Sequence, residues 1–119
     1  MRRVDVEPVA IERFKSTGVT IHHPTSSPDT LFAVGGPASM VVAELTSDGV
    51  IGRHPATGQQ LLFVSSGRVQ VCGNDGDWQE LSAGEAVVFD PAEEHETRAI
   101  TAATLAILQD NSGGSSSAE

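Results

Sequence analysis

Gly52-Arg53-His54-Pro55-Ala56-Thr57-Gly58-Gln59-Gln60-Leu61-Leu62-Phe63-Val64-Ser65-Ser66-Gly67 and Gly84-Glu85-Ala86-Val87-Val88-Phe89-Asp90-Pro91-Ala92-Glu93-Glu94-His95 decide the fold. Each is a short apolar run bounded by glycine, with one histidine at its edge. Such runs, closed by Gly, Pro, Ser and Asp, read as β-strands joined by turns. Between them lie two further strands, Arg68–Cys72 and Trp78–Leu81, separated by Gly73-Asn74-Asp75-Gly76. Asn and Gly accept positive φ, so this is a hairpin turn. Two hairpins in a closed β structure can carry His54 and His95 to one cavity, an arrangement suited to a metal or a small ligand.

The same punctuation extends outward. Strands are predicted at Val19–His23, Leu31–Val34, Ser39–Leu45, Ile51–His54, Gln59–Val64, Glu85–Phe89, His95–Ile100 and Ala103–Leu108. Breaks fall at residues 25–29, at Gly35-Gly36-Pro37 and at Ser47-Asp48-Gly49. Helical periodicity is confined to Glu7–Lys15, with Pro8 acceptable at a helix start. The reading is therefore all-β: residues 1–18 as an N-terminal helical or irregular segment, 19–109 as a barrel, and 110–119 as a loose tail. That tail is Gly, Ser, Asn and acid, too polar to offset its ordering entropy. No internal repeat is visible.

The chain has 119 residues and 12.4 kDa, one domain in size. A chain of this length buries roughly 65% of its unfolded surface, enough for a core without staples. Seven Lys+Arg against sixteen Asp+Glu give a net charge of −9. That argues against nucleic acid, whose phosphates want cations, and against anionic membrane surfaces. No apolar run reaches the roughly 20 residues of a membrane span, and the basic start lacks the apolar stretch of a secretory signal. Cys72 is the single cysteine. It cannot form an internal disulfide, which predicts a reducing compartment, the cytoplasm. Within a strand it reads as a buried, inert thiol.

With these residues in place the chain resembles the cupin superfamily over roughly Ser39–Leu108. In that family a first motif carries two His one residue apart, then a Glu, then a Gly seven residues later. Counting back from Gly67 puts Gln60 at the Glu position, His54 at the first His and Ala56 at the second. The second motif runs from a Gly through a Pro to a His, matched by Gly84, Pro91 and His95, with Ala92 where a second Gly is common. The resemblance implies a double-stranded β-helix, or jelly roll. It also implies a degenerate metal site, since two of four ligands are kept. Gln60 offers only a neutral amide oxygen, so a divalent ion (Fe, Mn, Zn or Ni) is expected weakly bound at His54, Gln60 and His95, or not at all. Strand alternation puts Leu62 and Val64 inward with Gln60, and Thr97 on the face of His95. These residues form the expected ligand-binding set.

Other candidates read as structural. His22 and His23 are adjacent on a strand and face opposite sides. Glu93 and Glu94 read as solvated carboxylates in a turn, with Glu96 pointing away from His95. Arg53 and Arg98 each neighbour a residue that faces inward and so face out. Trp78 reads as packing. Three functions follow: a small-molecule binder, a metal-dependent enzyme of dioxygenase or isomerase type, or an assembly module without ligand. The missing ligands favour the first over the second. Leu61 and Phe63 must face outward if Gln60, Leu62 and Val64 face in. An outward Leu and Phe need a cover, either the segment Val9–Phe14 or, as cupins commonly pair, a second copy. A homodimer is the expectation.

Overall fold

A computed structural model describes Met1 and residues 3–25 and 35–112. The predicted strand Leu31–Val34, the break over residues 26–29 and the tail residues 113–119 lie outside the described residues. Among the latter there are nine strands: β1 Val6–Ala10, β2 Thr17–Pro24, β3 Ala38–Pro55, β4 Gln60–Ser66, β5 Arg68–Cys72, β6 Trp78–Ser82, β7 Ala86–Phe89, β8 Glu94–Ala99 and β9 Ala103–Asp110. They pair in the order β6-β5-β8-β3-β9-β4-β7, with β2 laid on β3 and β1 on β2. Every pairing is antiparallel.

The long strand β3 closes the barrel. Its first half, Ala38–Leu45, pairs with β9, and its second half, from Val50 to Pro55, pairs with β8. Sequence predicts two strands interrupted at Ser47-Asp48-Gly49. The structure has one bent strand instead, with Asp48 at φ 68°. An Asp beside a Gly tolerates that left-handed backbone, and an irregularity inside a pair bends a strand without ending it. One strand thereby serves both walls of a nearly closed antiparallel barrel of double-stranded β-helix type.

Alternation along β4 sorts the two faces. Gln60, Leu62 and Val64 are buried, while Leu61 and Phe63 are each 37% exposed. Leu62, Val64, Val69 and Leu105 are fully buried in the same core, each contributing roughly 1.5–3 kcal/mol by leaving water.

The N-terminal segment corrects the helical expectation. Val6–Ala10 is a strand, followed by a single 3-10 turn at Arg13–Lys15. Pro8 is tolerated there because β1 pairs only with β2, and an edge strand has one side free of ladder bonds. At the other end β9 runs to Asp110, beyond the predicted limit at Leu108. The Asp110 N–H donates to the Gln59 carbonyl (2.9 Å) and the Asn111 N–H to the Pro37 carbonyl (2.8 Å). Among the described residues, no helix is long and apolar enough to cross a membrane.

Candidate functional site: a cavity over paired imidazoles

His54, near the end of β3, and His95, on β8, are direct cross-strand partners. Residues so paired share a face and stand close, and their ring centroids are 4.5 Å apart. The contact extends in both directions. Phe89 of β7 stacks on His95 at 4.1 Å, and Phe14 of the N-terminal turn stacks on His54 at 4.7 Å. The four rings make a column from the barrel interior to its mouth.

Beside the column lies a cavity of about 260 Å³. His54, Gln60, His95, Leu62 and Thr97 all line it, so the fold brings five of the six expected site residues together. Val64 does not join them. It is fully buried but packs in the core, outside the cavity wall. The rest of the wall mixes aliphatic side chains (Ile11, Ile21, Val41, Ile51 and Ile107) with Ser16, Ser39, Gln109 and two exposed residues at the mouth, Arg13 and Phe14. The N-terminal contribution has one local signal in the sequence, Gly52. A Cβ there would sit 1.5 Å from the Phe14 carbonyl oxygen, so only glycine lets the turn come this close. The buried Ser16 hydroxyl accepts the Gly52 N–H at 2.9 Å and pins the turn.

Burial sets the charge inside. His95 is 2% exposed, and its Nε2 has no hydrogen-bond partner among the described residues. Desolvation first, and the neighbouring His54 second, lower its pKa from 6.5 to about 4, with Glu93 opposing. His95 is therefore neutral at pH 7. His54 Nδ1 donates to the Gly52 carbonyl at 2.7 Å. In the neutral ring that leaves Nε2 as an acceptor. Gln60 donates through Nε2 to Gln109 Oε1 (3.0 Å), and Gln109 Nε2 donates onward to Thr57 and Asn111. That chain orients the Gln60 amide and leaves its carbonyl oxygen without a partner among the described residues.

The other candidates fall outside the cavity. His22 contacts Glu44, and His23 donates to the Pro24 carbonyl. Arg53 faces out and donates to the Gly73 carbonyl at 3.1 Å. Arg98 lies over the Trp78 ring at 4.5 Å, a cation–π pair on the outer surface. Cys72 is buried and free, without a disulfide. Glu93 departs from the solvated reading. Its carboxylate accepts the Asp90 and Asn74 N–H groups and ties two turns together.

A firmly held divalent cation does not fit these donors. Two imidazoles and a neutral amide supply no carboxylate to offset the charge. Ala56 adds no donor and is not in the cavity wall. It is buried under the 90–93 turn, its N–H donating to the Glu93 carbonyl and its own carbonyl accepting from Ala92. Among the described residues no group of three or more His, Cys, Asp or Glu is placed to hold a metal.

Topology and inner face together define a jelly-roll barrel with a ligand-sized interior lined by aliphatic, aromatic and polar side chains. The chain belongs to the cupin family, whose domain profile matches residues 41–108. No curated protein matches it in sequence. Among solved structures, the polyketide cyclase RemF from Streptomyces resistomycificus superposes with a TM-score of 0.75 at 19% identity, over 93% of this chain and 80% of that one. A predicted oxalate decarboxylase from Thermotoga maritima gives 0.70 at 18% identity, over 90% and 93%. KdgF from Halomonas sp. gives 0.68 at 19% identity, over 88% and 87%. At these identities the likeness is one of fold.

Proposed function

We propose that the protein binds a small, mostly apolar molecule in the barrel, with His54, Gln60 and His95 as its polar contacts and a divalent metal held weakly at most. The buried Nε2 of His95 carries this reading. A buried polar atom without a partner costs about 1–3 kcal/mol, and the ring that carries this one lines a cavity of ligand size. The Gln60 carbonyl, and His54 Nε2 when that ring is neutral, are acceptors in the same wall, so a ligand bearing a hydroxyl or N–H is favoured. The metal-dependent enzyme reading is weaker, because Gln60 brings no charge and Ala56 no lone pair. The test is a fragment titration followed by NMR. Binding shifts the His54 and His95 ring signals together, and Leu62→Trp, which fills the cavity, abolishes the effect. Fragments that bind without moving either ring would overturn the proposal.

The outer wall supports a second copy as partner. Register lines up Met40, Leu108, Leu61 and Val88 across β3, β9, β4 and β7, and Val42, Ala106, Phe63 and Ala86 in the next row. Met40, Leu61, Phe63, Val88 and Leu108 are all exposed. The segment Val9–Phe14 does not cover them, since Phe14 is at the cavity mouth. Two such faces related by a two-fold axis would cover one another. Light scattering at roughly 50 µM, where a modest interface holds, gives a dimer. Leu61→Glu with Phe63→Glu gives a folded monomer. A native protein already monomeric there contradicts the pairing.

A further inference from the structure

The cavity mouth holds a cation without an ion pair among the described residues. Arg13 is the one Arg, Lys, Asp or Glu in the cavity wall among the described residues. In a chain with sixteen acids and seven bases, other arginines lie near a carboxylate: Arg53 near Glu94, Arg68 with Glu80, Arg98 with Glu96. Arg13, like Arg3 outside the cavity, has no ion pair among the described residues. Its guanidinium carbon stands 5.6 Å from the centroid of the Phe14 ring, which is itself stacked on His54. That places the charge at the outer end of the ring column. Two acids on neighbouring surfaces are engaged elsewhere: Glu12 lines the groove beside Gly18 and Glu44, and Glu96 accepts from Arg98. Deeper in the wall, Gln60 and Thr97 are uncharged and His95 is neutral at pH 7, so nothing inside offsets a buried anion. An anionic group is accommodated at the mouth, with its apolar remainder inside.

We propose that Arg13 is an anion-recognition residue and that the cavity takes small apolar carboxylates, the carboxylate against the Arg13 guanidinium and the hydrocarbon among Ile21, Ile51, Leu62 and Ile107. This rests on the cavity being the ligand site. A carboxylate matches the planar guanidinium fork, which donates two parallel hydrogen bonds to it.

The test compares hexanoate with hexan-1-ol, equal in chain length and differing in charge, by NMR titration of the full chain at pH 7.5. At low salt hexanoate binds about threefold to fivefold more tightly, the scale of one exposed charge pair, and high salt erases the difference. Arg13→Gln removes the preference, bringing hexanoate to the affinity of hexan-1-ol measured in the same variant. Lys15→Gln, which alters a neighbouring charge outside this cavity, keeps it. Equal affinity for the two probes in the native protein overturns the role of Arg13 while leaving the cavity as a binding site. So does a preference that survives Arg13→Gln, or one lost equally in Lys15→Gln. If neither probe shifts His54 or His95, the cavity reading falls and this inference with it.

Discussion

Phe14 lies flat on His54, ring centroids 4.7 Å apart and planes 13° from parallel. The contact joins a residue of the N-terminal turn to one of the two cavity imidazoles, and it exists only because the backbone there is forced. Phe14 and Lys15 take φ of 58° and 61°. Consecutive left-handed L-residues cost of order 1–2 kcal/mol each. The Ser16–Gly52 hydrogen bond and the stacking offset that cost, so the turn is the part of the site most easily displaced.

Gly52→Ala is therefore expected to lift the turn off His54. The added methyl overlaps the Phe14 carbonyl, which is backbone and cannot rotate aside. Hydrogen exchange at residues 12–16 should accelerate while β4, β5 and β8 stay protected. Unchanged exchange would show that the barrel yields instead.

Acid should destabilise the protein through His95. Its pKa is about 4 in the folded chain against 6.5 when exposed, so between these values the unfolded state binds the additional proton. Stability then rises with pH across that window and is lost as pH falls from about 6.5 to about 4, by up to about 3 kcal/mol. Chemical denaturation of His95→Gln should show a shallower acid slope than the native protein over the same range. Parallel slopes would contradict the assignment.

Ala92 sits where the family commonly has glycine, and its φ is 68°. Ala92→Gly relieves the left-handed strain, partly offset by a freer unfolded chain, and should stabilise by about 1 kcal/mol. Ala92→Val should destabilise by at least as much. Denaturant midpoints for the pair decide it.

The C-terminal boundary is set by hydrogen bonds. Ending the chain after Ser112 should leave the melting temperature unchanged. Ending it after Gln109 removes the Asp110–Gln59 and Asn111–Pro37 bonds and Asn111's contact with Gln109. The expected loss is about 2 kcal/mol.

Much of the barrel was legible because strand alternation is local. The run Gln60–Val64 alone separates inner from outer face, and the turn glycines mark Arg68–Cys72 to the residue. What sequence hid was non-local or conditional. Asp48-Gly49 has the composition of a turn, and only its pairing on both sides makes it a bend in one strand. Pro8 reads as a helix start until β2 is there to pair with β1. The spacing of His54, Gln60 and His95 brought them to one cavity. It could not show that Ala56 leaves the wall, because that depends on the 90–93 turn folding over it. Arg13 and Phe14 were invisible as site residues, their place fixed by contact with Gly52, far along the chain.

A barrel that binds its ligand through its own side chains, as proposed, carries no resident metal. Elemental analysis of untagged protein, purified without chelator and passed through gel filtration, checks this. The expected content of Fe, Mn, Ni and Zn is far below one equivalent, with Gln60→Glu retaining more than the native chain. One equivalent of any of these carried by the native protein would contradict it.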